Sequence, residues 1–204
     1  MLEHVPAWLG KAMSGLRAGA DKLAIVQLGQ PFETLDLTSP AFASGARLPE
    51  RFTADGAAVS PPLTWGTPPD GTTRLVLIVE DADAPAPQPL VHAIVWGLAA
   101  DAGRLAEGAI VADGGGDEDG DVGRNSYFRE GWLPPDPPSG HGVHDYAFQL
   151  FAVGPGAGDP GDTPGRAAVV EAMTGHVLAA GLLIGTYSRE EPAPIGPVGD
   201  AALA

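Results

Sequence analysis

The sequence predicts a mostly β domain with a helix near each end. Leu75, Val76, Leu77, Ile78 and Val79 form an unbroken apolar run rich in branched residues, which reads as a strand buried on both faces. Two further runs of strand composition follow, Val91–Leu98 and Tyr146–Val153. Ahead of them, short extended segments are separated by the turn pairs Asp55-Gly56 and Pro61-Pro62, the pattern of the early strands of an all-β domain.

The elements take the following order. Val5, Leu9, Met13, Leu16 and Ala20 recur at helical spacing, with Pro6 allowed in a first turn, so an amphipathic helix is expected from Val5 to about Lys22. Its apolar stripe packs on the domain or on a second copy of the chain in a homodimer; its polar face is not basic enough for a membrane surface. Gln30-Pro31 marks a boundary, giving a helical extension and linker over 1–30, a domain over 31–190 and a tail over 191–204. Leu35–Ser39 alternates like an edge strand, and Arg51–Thr53 and Leu63–Trp65 are short strands. After Leu98 the signal for regular structure stops until Tyr146. Within that stretch the acidic run Asp113–Asp121 lacks the glutamate spacing of a calcium loop and reads as solvated. Gly123–Tyr146 carries Arg124 and two histidines among prolines that can fix a loop without regular structure. Thr163-Pro164 opens a helix with Val169, Val170, Met173, Val177, Leu178 and Leu182 on one face, ended by Gly185, and Thr186–Arg189 is a last extended piece.

Composition narrows the function. At 204 residues and 44% hydrophobic content the chain can bury one substantial core. With 11 basic against 26 acidic residues, a net charge of -15, it lacks the footprint of a nucleic-acid binder. Without cysteine there is no disulfide, thiolate metal site or cysteine nucleophile. The N-terminus has no signal-peptide pattern and no apolar run approaches a transmembrane segment, so a cytoplasmic location is expected.

Chemistry concentrates at the mouth of the first buried strand. Glu80, Asp81 and Asp83 follow it directly, then Pro85, Pro87 and Pro89, then His92. Carboxylates there cost several kcal/mol unless they are paired, hydrogen-bonded or used, which makes Asp81 and Asp83 site candidates. The residues alone leave open whether His92 is a satisfied core histidine and His144 a loop histidine.

Five segments together carry a resemblance: Ser60–Trp65 (SPPLTW), Asp81–Pro85 (DADAP), His92, Pro137–Tyr146 (PPSGHGVHDY) and Gly175–Arg189 (GHVLAAGLLIGTYSR). In this order they resemble the phosphatidylethanolamine-binding protein (PEBP) family, in its bacterial, Raf-kinase-inhibitor-like branch. The resemblance implies an antiparallel β-sandwich with a C-terminal helix beside a small pocket that binds phosphate or phosphorylated head groups. It carries Asp81 and Asp83 onto the aspartates of the family's Asp-Pro-Asp-Ala-Pro motif, His92 onto the following histidine, and His144 onto the histidine of Gly-x-His-Arg. Pro135, Gly140 and Tyr146 match as well. Three departures matter: Ala82 stands for proline, Asp145 reverses the charge of the usual arginine, and Val91 and Ala93 stand where bulky aromatics are common.

The resemblance therefore implies a non-enzymatic binding protein with no cofactor, acting on a small anionic or zwitterionic ligand such as phosphate or phosphoethanolamine. It also implies a partner role, since the family includes kinase-modulating and signalling proteins. Carboxylates and a phosphate repel, so such a site needs protonated histidine, a protonated aspartate, backbone N–H groups, or an ammonium on the ligand to face a carboxylate. The alternative is a hydrolase in which the two aspartates and two histidines hold a divalent ion or act directly, although no His-x-x-x-His or Gly-x-Ser-x-Gly pattern accompanies them.

Overall fold

In a computed structural model, residues 7–29, 31–112 and 120–189 are described. The chain forms α1 (Ala7–Met13), a 3-10 turn at Ala20–Lys22, α2 (Ala24–Gln27), β1 (Glu33–Thr34), β2 (Leu37–Thr38) and β3 (Ala46–Arg47). A second 3-10 turn at Glu50–Phe52 leads to β4 (Leu63–Trp65), β5 (Arg74–Asp81), β6 (Leu90–Leu98), β7 (Gly103–Leu105) and β8 (Asp121–Val122). The chain closes with β9 (His144–Val153), α3 (Arg166–Met173) and β10 (Val177–Tyr187). One sheet runs β1-β10-β9-β5-β6-β8, with β3 also on β10, and a smaller one runs β2-β4-β7. The long strands pair antiparallel, whereas the short β1 and β3 lie parallel to opposite ends of β10.

Alternation along β5 explains its unbroken apolar run. Leu75, Leu77 and Val79 enter the core between the sheets, against Leu63, Trp65 and Leu105 of the small one. Val76 and Ile78 face the other way, onto Val169 and Met173 of α3 and Ala24 of α2. Both faces of the large sheet are thus covered, one by a second sheet and one by helices, so no position on β5 needs to be polar until its end.

Glu80 ends the helix-facing side. Its carboxylate, fully buried, accepts from the Ala24 amide at 2.8 Å and from Gln149 Nε2 at 2.8 Å, and it pairs with the Arg166 guanidinium. Gln149 in turn accepts from the Ile25 amide at 2.8 Å, and Arg166 donates to the Lys22 carbonyl at 2.7 Å. This network ties α2, α3 and β9 to one side chain.

Several sequence expectations change. The helix expected from Val5 to Lys22 is confined, in the described residues, to Ala7–Met13; Val5 and Pro6 lie outside them. Gly15 and Gly19 disfavour its continuation, and Gly19 takes a φ of 104° as the chain turns into a strap whose Ala18 and Gly19 amides donate to Ala84 and Ala82. The apolar stripe is also turned outward: Leu16 is 60% exposed while Gly10 is buried. At the other end, α3 stops at Met173, and the residues read as its continuation form β10. Ala179, Leu183 and Tyr187 alternate into the core, whereas Leu178 and Leu182 lie on the exposed side. Gly181 and Gly185 let Leu35 and Leu48 approach closely, which is what glycine in a strand permits. Arg51–Thr53 is a 3-10 turn burying Phe52, not a strand. Within Leu35–Ser39 only Leu37–Thr38 is strand, β2 of the small sheet; the chain leaves the large sheet just before it, after β1. The stretch expected to be irregular contributes β7 and β8. The acidic run from 113 to 119 and the tail lie outside the described residues.

Candidate functional site

The register of three strands gathers the candidate residues. Asp81 at the end of β5 pairs with Leu90 at the start of β6 and with Tyr146 near the start of β9, so His92 and His144 arrive at the same sheet end. Because side chains alternate, Asp81 points away from the Glu80 network. It is buried, accepts from the Asp83 amide at 2.8 Å through Oδ1, and meets His144 Nδ1 at 2.8 Å through Oδ2. His144 Nε2 lies 2.7 Å from His141 Nδ1. His141 Nε2 completes the chain by donating to the Met13 and Leu16 carbonyls, at 2.9 and 3.2 Å.

His92 is different. Its Nδ1 lies 2.6 Å from the Leu133 carbonyl, which can only accept, so Nδ1 carries the proton. Burial holds its pKa below the usual imidazole range despite the opposing pull of Asp81. The ring is therefore neutral at neutral pH, and its Nε2, buried and without a hydrogen-bond partner, is an acceptor. Of the sources of positive charge open to such a site, a protonated His92 is therefore disfavoured. Tyr146 stands edge-on to His92 at 5.1 Å between ring centres; its hydroxyl also lacks a partner, and burial pushes the phenol well above its usual range.

A cavity of about 360 Å³ opens here. Asp81, His92, Tyr127, Arg129, Asp136 and His144 supply its ionisable lining, and Leu90, Leu133 and several prolines its apolar walls. The charge of Asp136 is offset by Arg189, 2.5 Å away, which also grips Asp55 and donates to the Pro137 carbonyl at 2.7 Å. Of the residues chosen from the sequence, Asp81, His92 and His144 line the cavity; Asp83, Pro135, Gly140 and Tyr146 are not in that lining. Tyr146 sits behind His92, Pro135 accepts from the Ala54 amide, and Gly140 takes a φ of 82° in the turn before His141.

Asp83 faces the strap. Its carboxylate pairs with the Arg17 guanidinium and accepts from the Asp145 amide at 2.7 Å. Burial and then Asp83 raise the Asp145 carboxyl, with Arg17 opposing them. A cation from the N-terminal segment thus stands beside the position where Asp145 reverses the family's charge. His141, Arg17, Arg129, Asp136 and Arg189 were not singled out in the sequence. His141 had a signal in its spacing of three from His144, and Arg17 had one in the uncompensated Asp145; the others had none. Among the described residues no three His, Cys, Asp or Glu side chains converge to hold a metal, and no helix is long and apolar enough to cross a membrane.

Sandwich, helix and cavity define a PEBP-type binding fold. The sequence model described as phosphatidylethanolamine-binding protein matches residues 38–188, and the chain belongs to that family. A UPF0098 protein of Mycobacterium bovis is 42% identical over 158 residues, 76% of this chain and 71% of its own length. A UPF0098 protein of Methanothermobacter thermautotrophicus is 39% identical over 76% of this chain and 99% of its own. Among solved structures, the Chlamydia trachomatis PEBP homolog CT736 superposes with a TM-score of 0.68 at 32% identity, covering 78% of this chain and 99% of its own. A Mycobacterium tuberculosis relative, 42% identical over 58% of this chain and 55% of its own, carries the name putative lipoprotein LppC.

Proposed function

We propose that this chain is a non-enzymatic binding protein whose cavity takes a small anion, either inorganic phosphate or a phosphorylated head group such as phosphoethanolamine, in a cytoplasmic setting. One observation carries the reading: His92 Nε2, a buried acceptor without a partner, lies in a cavity that Arg129 also lines. A phosphate that keeps one O–H satisfies both, donating to Nε2 and presenting its charge to the guanidinium. A zwitterionic head group adds an ammonium for a carboxylate, and Asp136 lines the same space. The hydrolase alternative is weaker, because both ring nitrogens of His144 and of His141 are already engaged, as is His92 Nδ1. Regulation of a kinase or other signalling partner, implied by the family, is a separate role that a pull-down with the full chain tests.

Calorimetry with phosphate and with phosphoethanolamine is the direct test of the pocket. Arg129→Gln and His92→Phe should each weaken binding, by about 1–3 kcal/mol for the loss of a charge-assisted or buried hydrogen bond. The absence of saturable binding by the wild-type chain sinks the proposal.

A further inference from the structure

The strap reaches this site from outside the family match, which begins at residue 38. Its backbone bonds the Ala82–Ala84 turn, and Arg17 pairs with Asp83 and donates to the Val143 carbonyl at 3.0 Å. Helix α1 lies so close to the Ser139–His141 turn that a Cβ on Gly10 would overlap the Ser139 carbonyl.

Counting protons along the histidine chain gives this docking a consequence. Carbonyl oxygens only accept, so with the strap in place His141 Nε2 must carry a proton. The His141–His144 and His144–Asp81 contacts, at 2.7 and 2.8 Å, each need one more. Three protons are required where two neutral imidazoles supply two. The third leaves the unit Asp81–His144–His141 with no net charge, whether it rests on a ring or on the carboxyl. With the strap lifted, His141 can turn its single proton to Nδ1 and donate to His144 Nε2, while His144 Nδ1–H donates to Asp81. Both remaining bonds are then made with two protons, and the unit is negative.

We propose that His141, held by the Met13 and Leu16 carbonyls, is a positioning residue that keeps this third proton on the His144–Asp81 pair, so that docking of the N-terminal strap removes a negative charge from the cavity wall. Strap docking and anion binding then strengthen each other through one proton. Desolvation, then His144 and Arg17, hold the His141 pKa low against its two carbonyl bonds, so the third proton belongs to the His144–Asp81 pair and not to His141. The other charges around the pair do not replace it. Asp83 and Asp145 face Arg17, Asp136 faces Arg189, Arg129 lines the cavity, and His92 is neutral. The inference rests on the anion reading of the cavity.

The test uses the full chain, with nitrogen-15 histidine NMR and phosphate calorimetry at pH 7 on wild type, Gly10→Val, His141→Ala and His141→Gln. In wild type, His141 should be the neutral tautomer protonated at Nε2. Gly10→Val, which changes no ionisable group, should move that proton to Nδ1 and lower phosphate affinity roughly tenfold, within the usual range for coupled sites. His141→Ala should lower affinity similarly. His141→Gln, able to donate to the carbonyls and accept from His144 Nε2, should retain it. A wild-type His141 protonated at Nδ1 overturns the proton count, as does a folded Gly10→Val with tautomer and affinity unchanged. Should Gly10→Val not fold, undiminished affinity in His141→Ala overturns the proposal on its own. If wild type binds no phosphate, the anion reading and the linkage fail together, while the ring tautomers still decide the proton count.

Discussion

Glu80 and Asp81 are neighbours on one strand, both buried carboxylates, and they have opposite surroundings. Glu80 is surrounded by donors that do not titrate near neutrality: an amide N–H, a glutamine and an arginine, between a sheet and two helices. Asp81 has one backbone donor and one histidine, and it borders a cavity. The first arrangement holds two helices and a strand to one side chain. The second places a titratable ring against the carboxylate beside a space that something else can enter. Burial of a carboxylate therefore does not by itself mark a candidate site; a titratable partner beside a cavity is what distinguishes this candidate.

The largest effect expected of this contrast is on stability. Glu80→Ala leaves the Arg166 guanidinium without its carboxylate in a largely buried position and frees two donors, so unfolding by denaturant should show a loss of about 3–5 kcal/mol. Phosphate affinity of the folded protein should be nearly unchanged. A variant that keeps its stability but loses phosphate would reverse the roles assigned to the two faces.

Asp81→Asn should act mainly on binding. The amide oxygen still accepts from His144 but carries no charge, so phosphate affinity between pH 5 and 8 should become less dependent on pH than in wild type, at a stability cost of about 1–3 kcal/mol. Equal pH slopes for the two proteins would show that the aspartate does not set the cavity's charge.

A smaller effect concerns pH and folding. His92 and His141 have folded pKa values below the unfolded value near 6.5, so the unfolded chain binds more protons below that pH. Their share of stability is complete above about pH 6.5 and is lost as pH falls toward the folded values. Melting temperature should decline in that window, and His92→Gln should lessen the decline. A melting temperature that rises on acidification from pH 7 to 5 would contradict the neutral state assigned to both rings.

The smallest effect is expected of Asp83→Asn. Asp83 is matched to Arg17 outside the cavity, so calorimetry should find phosphate affinity changed by less than about threefold, against the stronger binding expected if it repelled the ligand directly.

Much of this was legible in the chain. The unbroken run Leu75–Val79 foretold a strand covered on both sides, and the order of the motifs foretold the family; of the four residues grouped there, Asp81, His92 and His144 line one cavity and Asp83 does not. What failed did so for identifiable reasons. Val177–Leu182 offers helical spacing if Leu178 and Leu182 are read as core, yet the buried positions of β10 include small residues whose value lies in letting neighbours close in. The strap's apolar residues promised a buried stripe, but backbone bonds and one arginine fix it instead, and these have no periodic signature. Glu80 looked like its neighbours because its partners, Arg166 and Gln149, are brought by distant elements.

The contrast between the two faces of β5 is tested most directly by amide-resolved NMR during titration of the full chain with inorganic phosphate at pH 6.5. Saturable shifts centred on Asp81, His92, Arg129 and His144, with Glu80, Gln149 and Arg166 nearly silent, are the result predicted here. Shifts centred on the Glu80 side, or none that saturate, would contradict the assignment of the Asp81 face as the binding site.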